Sequence, residues 1–427
     1  MATDLRNKLR RLGVHKGASK IPRLPLQPLH ERGARTEGLE SLVDGLEIDT
    51  PYGPAFVHED VFPVGHFHGN HTLGELLTLS PEVAAQIGGD ASLALIDLGR
   101  ALFLDTETTG LAGGTGTFAF LVGVGAFNTE NATFEVQQYF LRSPAEEPAM
   151  LHALAQRLDA HEAVVTFNGR GFDMPLLRSR FTLARMRPRL LDAPHLDLLM
   201  PARRVWRGRL ESCALSSLEH HILNVQREQA DVPGFLIPEM YVRYVRTGDA
   251  SEMPRVMYHN LLDILSMVSL STRLITLFAA TASPTLDTGA DDWLALGKWY
   301  DDLARTADAE AALRKCLAAR PDPSTRAAAL FRLGVILKRE GRRDEAVRVW
   351  EALSESKTWP GIQACVDLAK HYEWHTPNLE RALAWTREAL AITPALSDDT
   401  LRQRCGTELQ RRLDRLAFKH GRNRRNL

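Results

Sequence analysis

The alternation of apolar and polar residues along the 427-residue chain predicts a mixed α/β part followed by a purely helical part. Short apolar runs and alternating stretches predict three consecutive strands at 101–104, 117–127 and 133–141. The elements predicted after them are a helix at about 145–160, the strand AVVTF at 163–167, a helix from about 174, a short strand around HLDLL and a helix across 258–280. This order is typical of an α/β core in which helices flank a mixed sheet.

The regions on either side of this core have a different texture. Residues 1–36 are rich in Pro, Gly and Arg without any period, so we predict a flexible basic arm. Residues 37–98 contain the alternating stretch LEIDTPYGPAFVHEDVFP around a PYG turn, which predicts a small β-rich lead-in. The core domain itself is predicted to span 99–282, and a short basic tail covers 418–427.

Residues 288–417 show helical periodicity without strands, and they contain an internal repeat. Its spacing is that of tetratricopeptide-like (TPR-like) repeats, in which pairs of helices stack and present a surface for docking a partner. The three copies are marked by Trp293, Leu296, Gly297, Tyr300, Ala309 and Pro321, by Leu333, Gly334, Leu337, Ala346 and Trp350, and by Leu368, Ala369, Tyr372, Ala382, Ala389 and Pro394. The third copy is irregular, so a plain helical bundle is the alternative.

The bulk composition favours a globular protein of the cytoplasm. Hydrophobic residues make up 44% of the chain, and the four cysteines are far apart without a CxxC pair. This spacing predicts neither a disulfide framework nor a zinc knuckle. No unbroken apolar window reaches the length of a membrane span and the first twenty residues are basic, so we expect neither a span nor a secretory signal.

Positive charge is unevenly distributed along the chain, although the formal net charge is only −1. Both ends are basic, which is typical of solvated tails. A third concentration lies inside the predicted core domain, where RSRFTLARMRPR and ARRVWRGR contain nine arginines. From this cluster we take Arg178, Arg180, Arg203 and Arg204 as candidate contacts to the phosphates of a nucleic acid.

The first candidate chemical motif is FLDTETTGL, at the end of a predicted buried strand. Asp105 and Glu107 are two residues apart, so both side chains leave the same face of the strand. Two buried carboxylates repel each other, and Mg²⁺ or Mn²⁺, which prefer oxygen ligands, would compensate their charge. The alternative is an ordinary surface strand end, where two acids are common.

Two further motifs follow in the chain, FNGRGFDMPLL and YHNLLDILSM. Asp173 falls at the start of a predicted helix, where it is either a metal ligand or an N-terminal cap. Asn168 is placed to bind nearby backbone or a substrate phosphate or sugar. His259 and Asp263 are one helical turn apart and share a face, either as catalytic groups or as a core histidine with its acid partner. The occurrence of all three motifs in this order on one α/β core favours the catalytic interpretation.

Together these motifs resemble the DEDD exonuclease superfamily, and within it the YprB-like ribonuclease H-like proteins. The resemblance covers about residues 95–282 and includes the segments HLDLLMPARRVWRGRLESCALSSLE and DVPG. It implies a ribonuclease H-like fold for the core. Members of the superfamily have a tyrosine four residues, or a histidine five residues, before the last aspartate. Here His259 is at minus four and Tyr258 at minus five.

The resemblance implies a metal-dependent nuclease that shortens single-stranded or unpaired DNA or RNA from the 3′ end, with two Mg²⁺ or Mn²⁺ ions. Asp105 and Asp263 would bind the first ion with help from Glu107, and Asp173 would share the second. We expect His259 to orient or deprotonate the attacking water, because spacing fixes the direction of a side chain on a helix. The alternative is a scaffold that binds nucleic acid without cleaving it and recruits proteins through its repeats.

Two other motifs carry weaker signals. HFHGNH places His66, His68 and His71 close together, as in a zinc site, but no cysteine or fixed acid completes it, so an exposed turn is favoured. The glycines of LAGGTGTF match neither a phosphate-binding loop nor a dinucleotide fingerprint, so no nucleotide cofactor is predicted.

Overall fold

The computed structural model describes residues 38–110, 116–228, 231–280 and 288–425. The predicted basic arm at 1–36 and most of the glycine-rich turn, at 111–115, lie outside the described residues. The strands are β1 Leu46–Thr50, β2 Gly53–Pro63, β3 Phe67–His68, β4 His71–Thr72, β5 Ala101–Thr108, β6 Ala119–Asn128, β7 Thr133–Phe140, β8 Ala163–Thr166 and β9 His195–Asp197. The helices of the α/β part are α1 Pro81–Gly88, α2 Glu147–Asp159, α3 Asp173–Leu183, α4 Leu199–Trp206, α5 Leu215–Leu218, α6 Ile237–Thr247 and α7 Met253–Ala279. The helices that follow are α8 Ala290–Asp302, α9 Thr306–Ala318, α10 Pro323–Arg339, α11 Arg343–Ser354, α12 Trp359–Trp374, α13 Leu379–Ile392 and α14 Asp399–Arg425.

Seven strands form one mixed sheet in the order β1-β2-β7-β6-β5-β8-β9. Strand β5 pairs antiparallel with β6 and parallel with β8, so the strand that carries Asp105 lies inside the sheet. The predicted α/β core with a mixed sheet flanked by helices is confirmed. The lead-in contributes β1 and β2 to this same sheet, because β2 pairs antiparallel with β7, with Phe56 opposite Phe140. The small ribbon of β3 and β4 forms a second sheet.

Helix α7 is the central helix of the α/β part. Ile264 and Val268 are fully buried and belong to one hydrophobic cluster with Phe103 of β5 and Val165 of β8. Helix α7 is long and apolar enough to cross a membrane, since an 18-residue window of it has a mean hydropathy of 1.6. However, 78% of that window is buried inside the fold. The apolar composition of α7 is therefore accounted for by its packing against the sheet.

The helices from α8 onward form the predicted all-helical region and are joined to the core at α7. Phe278 stacks edge-on against Trp299 with ring centroids 4.8 Å apart, and the hydroxyl of Tyr300 donates a hydrogen bond to the carbonyl of Phe278. Within the region, a Cβ at Gly334 would lie 2.2 Å from Nε1 of Trp350. Glycine at this repeat position therefore lets α10 and α11 pack closely. The grouping of the helices into TPR-like repeats stays a prediction.

Candidate active site

Four carboxylates predicted from the sequence come together at the end of β5. Asp105 and Glu107 lie on β5, Asp173 begins α3 and Asp263 lies on α7. The charges of Asp173 and Asp263 act on both Asp105 and Glu107. The hydroxyl of Thr106 donates a hydrogen bond to Oδ1 of Asp173, which ties the start of α3 to β5. The fold thus concentrates negative charge at one buried place.

Burial and mutual repulsion disfavour the ionised forms of these acids. Burial raises the pKa of Asp105 well above its usual value, and the charges of Asp263 and Asp173 raise it further. Burial also raises the pKa of Glu107, with a further contribution from Asp105. The pKa of Asp173 rises from 3.8 to about 6, chiefly because its carboxyl group is buried. A cluster of this kind is stabilised by any cation that it can bind.

An amide that was not predicted as a site residue holds Asp105 in place. Asn260 is fully buried, and its Nδ2 donates a hydrogen bond of 2.8 Å to Oδ2 of Asp105. Nε2 of the buried Gln138 in turn donates to Oδ1 of Asn260 at 2.9 Å. A Cβ at Gly123 on β6 would lie 2.0 Å from Oδ1 of Asn260, so only glycine leaves room for this amide. A glycine within the apolar strand β6 is the sequence signal for such a close approach.

The ring of His259 faces the carboxylates. Its Nε2 lies 3.9 Å from Oε1 of Glu107 and 3.7 Å from Oδ2 of Asp263. Its Nδ1 lies 2.7 Å from Oδ1 of Asp231, which belongs to the DVPG segment and was not predicted as a site residue. Asp231 thereby fixes the orientation of the ring. Tyr258 is half-buried near Asp231, and burial raises the pKa of its hydroxyl group.

Arg227 also enters the site, although no motif of the sequence marked it. Its guanidinium group donates two hydrogen bonds of 2.6 Å to the carboxylate of Glu219 and a third to Oδ1 of Asp263. Burial opposes the charged form of Arg227, but hydrogen bonding to Glu219 and the charge of Asp263 raise its pKa above the usual value. Arg227 is therefore a permanent cation inside the cluster.

Asn168 lies in the turn between β8 and α3, five residues before Asp173. Its backbone is left-handed, with a φ of 67°, and its N–H donates to Oδ1 of Asp197 at 2.9 Å. The N–H of Arg170 donates to the other oxygen of Asp197 at 3.0 Å, so one carboxylate on β9 fixes the turn. A cleft of ≈ 370 Å³ adjoins it, and its lining includes Asn168, Arg170, Arg203, Arg204 and Trp299. This cleft connects the α/β part with the helical region.

The four candidate arginines have different surroundings. Arg180 is 5% exposed, and its Nε donates to Oε1 of Glu147 at 2.6 Å while its guanidinium lies over the ring of Phe118. Arg178 donates to the carbonyl of Leu191 and pairs with Asp192 at 3.2 Å. Both side chains are thus engaged in holding α3 to its neighbours. Arg203 and Arg204 are exposed and line the cleft beside Asn168.

The histidines of HFHGNH are taken up in other contacts. Nε2 of His68 lies 2.8 Å from the hydroxyl of Ser266, and burial lowers the pKa of this histidine to about 4. Nδ1 of His71 lies 2.7 Å from Oε2 of Glu75, and the ring of His66 packs against Phe62. The prediction of an exposed turn is wrong at His68, which is only 6% exposed. This histidine is buried because β3 packs against α7, the helix that carries Ser266.

The donor atoms at the carboxylate cluster fit a hard divalent cation. Asp105, Glu107, Asp173 and Asp263 offer oxygen ligands of the kind that Mg²⁺ and Mn²⁺ prefer. Within the part of the chain that the structure describes, no three His, Cys, Asp or Glu side chains are already arranged around one point as ligands. Arg227 takes one oxygen of the Asp263 carboxylate through its hydrogen bond.

A comparison with known protein families agrees with this fold. Residues 102–275, which contain all four carboxylates and His259, match the family model of the RNase H superfamily. The match covers less than half of the chain, and together with the sheet order described above it indicates a ribonuclease H-like fold for this region. The chain is also 29% identical over 348 residues to the uncharacterized protein YprB of Bacillus subtilis (strain 168), covering 80% of this chain and 82% of YprB.

A solved structure of the family B DNA polymerase from the hyperthermophilic archaeon Pyrobaculum calidifontis is similar over 48% of this chain, with 15% sequence identity and a TM-score of 0.34. The similar region spans 29% of the polymerase chain.

Proposed function

We propose that this protein is a metal-dependent nuclease that hydrolyses phosphodiester bonds in single-stranded or unpaired nucleic acid, with removal of nucleotides from the 3′ end. The observation that carries the proposal is the convergence of four largely buried carboxylates and His259 in a ribonuclease H-like domain. Burying that much negative charge destabilises a fold unless cations compensate it. Binding of divalent cations next to a phosphodiester would account for the presence of this carboxylate cluster.

In this proposal, Mg²⁺ or Mn²⁺ is held by oxygen ligands of the cluster. Asp105 and Asp263 would hold the first ion with help from Glu107, and Asp173 would share the second. When bound, the two ions would lower the pKa of the attacking water and stabilise the leaving 3′ oxygen. Asn260 fixes one oxygen of Asp105 by its hydrogen bond and leaves the other available as a ligand.

His259 is the residue that we assign to the attacking water. Its Nε2 points between Glu107 and Asp263, toward the carboxylates that would hold the ions. Asp231 binds Nδ1 and so keeps Nε2 directed at the cluster, which is what a proton acceptor needs. Tyr258 is the alternative for this role, and it lies on the neighbouring position of α7.

The cleft beside Asn168 is the proposed path of the strand. Arg203 and Arg204 are exposed there, and Arg204 lies over Trp299 with 5.4 Å between the guanidinium carbon and the ring centroid. Arginines of this kind neutralise phosphates without reading sequence, so binding should weaken as salt increases. The same contacts accept DNA and RNA, because none of them requires a 2′-hydroxyl.

For the whole chain we propose a cytoplasmic location.

For the helical region we propose TPR-like repeats that dock a protein partner. The support for the repeats is the succession of helix pairs that pack on each other, α8 with α9, α10 with α11 and α12 with α13. Gly297, like Gly334, faces a large side chain of the paired helix. A Cβ at Gly297 would lie 2.8 Å from the side chain of Leu313.

A second candidate function is a scaffold that binds nucleic acid without cleaving it. The observation in its favour is that Arg227 already binds Asp263. Anisotropy of labelled single strands and cleavage of the same strands, measured on wild type and Asp105→Ala, separate the two functions. A variant that binds but has lost metal-dependent cleavage supports the nuclease. Wild type that binds and cleaves neither DNA nor RNA contradicts it and supports the scaffold.

A further inference from the structure

Arg227 occupies an unusual position for a cation, since it is bound to a residue that we assign to metal binding. Its side chain is 12% exposed, and its guanidinium group reaches Glu219 and Asp263 at once. Nη1 lies a further 3.4 Å from Oδ2 of Asp231 and 3.1 Å from Nδ1 of His259. One fixed positive charge therefore lies among three carboxylates at the edge of the candidate site.

The position of Arg227 is itself fixed from behind. Glu219 is 1% exposed and accepts both hydrogen bonds from Arg227, so the two side chains form a bidentate pair. Oε1 of Glu219 also accepts a hydrogen bond of 2.5 Å from the hydroxyl of Ser266, one turn beyond Asp263 on α7. That hydroxyl lies 2.8 Å from Nε2 of His68 in the β3–β4 ribbon. The ribbon and α7 together hold the arginine against Asp263.

We propose that Arg227 is a positioning residue that neutralises Asp263 in the metal-free protein and competes with a divalent cation for that carboxylate. This inference rests on the proposed function, because it takes Asp263 as a metal ligand. Arg227 occupies Oδ1 of Asp263, so an ion at this carboxylate either displaces that hydrogen bond or binds the other oxygen, and in both cases it meets the repulsion of a nearby positive charge. The wild-type protein therefore folds without metal, and its affinity for a cation is set below what the carboxylates alone would give.

The experiment measures Mn²⁺ binding by isothermal titration calorimetry and thermal unfolding in EDTA and in Mn²⁺. The test variant is the double substitution Glu219→Gln with Arg227→Gln, which removes the cation from Asp263 without leaving Glu219 as an unpaired buried charge and keeps the net charge of the chain. The matched control is Glu147→Gln with Arg180→Gln, another buried bidentate pair in the same domain. Neither measurement depends on cleavage of a nucleic acid.

We expect the test variant to bind Mn²⁺ at least about tenfold more tightly than wild type, because the competing cation is gone. We also expect the test variant to unfold at a lower temperature than wild type in EDTA. Addition of Mn²⁺ should raise its unfolding temperature by more than it raises that of wild type. The control should lose stability without any change in Mn²⁺ affinity. Equal or weaker Mn²⁺ binding by the test variant would overturn the proposal.

The outcome is distinguishable from that of the proposed function. Tighter Mn²⁺ binding by the test variant in a protein that cleaves no nucleic acid would support the role of Arg227 and contradict the nuclease. Unchanged Mn²⁺ affinity in a protein that does cleave would contradict the role of Arg227 and leave the nuclease supported.

Discussion

Replacement of Asp173 by asparagine is expected to stabilise the metal-free protein at high pH. Asp173 is 8% exposed at the start of α3, and burial raises the pKa of its carboxyl group from 3.8 to about 6. For an acid with a raised folded-state pKa, the stabilising contribution is present at low pH and is lost as the pH rises through that value. Ionised Asp173 therefore lowers the free energy of unfolding at pH 8.

The size of this effect follows from the two pKa values. A rise from 3.8 to about 6 corresponds to about 3 kcal/mol at pH 8 and about 1 kcal/mol at pH 4.5. Asparagine has the shape of the protonated acid and accepts the hydrogen bond from Thr106 in the same way. The Asp173→Asn variant should therefore exceed wild type in free energy of unfolding by about these amounts in EDTA.

Urea unfolding followed by circular dichroism at pH 4.5 and pH 8 measures the difference. In Mn²⁺ the advantage of the variant should shrink, because a bound cation stabilises the ionised acid of wild type. Asp399 at the start of α14 is a matched control, since it is exposed and Asp399→Asn should change stability by less than about 1 kcal/mol. A loss of stability in Asp173→Asn at pH 8 would mean that Asp173 acts as a helix cap, and would refute the charge-burial reasoning.

Other substitutions test the amide behind the site and the proposed strand path. Gly123→Ala places a Cβ 2.0 Å from Oδ1 of Asn260, so it should displace this amide, cost about 1–3 kcal/mol of stability and slow cleavage at least about tenfold. Unchanged initial rates and an unchanged melting temperature would contradict the role given to Asn260. The double variant Arg203→Ala with Arg204→Ala should weaken binding of a single strand and reduce the salt slope of the binding constant by about 1.4. Anisotropy titrations over a range of salt concentrations measure this slope, and an unchanged slope would place the strand elsewhere.

The order of strands and helices could be predicted because it depends on local pattern. Alternation in β7 and the buried run of β5 each mark a strand within a few residues, and the helical period of α7 places His259 and Asp263 on one face. The same local geometry brought out Asp105 and Glu107 as a pair, since residues two apart on a strand share a face.

The residues that support the site could not be predicted, because their contacts are distant in sequence. Arg227 reaches Asp263 across 36 residues, and Gln138 reaches Asn260 across 122 residues. No spacing in the chain encodes such pairs. For the same reason, a count of arginines did not reveal that Arg180 is buried against a glutamate 33 residues away.

The most direct test of the nuclease is cleavage of 5′-labelled single-stranded DNA and RNA in Mn²⁺, in Mg²⁺ and in EDTA. Wild type is compared with Asp105→Ala and Asp263→Ala, and with Asp49→Ala, an exposed aspartate on β1, as the control. We expect a metal-dependent ladder that shortens from the 3′ end, present in wild type and in Asp49→Ala and absent from the two cluster variants. Intact strands after incubation with wild type in both metals, or equal ladders from all four proteins, would contradict the assignment.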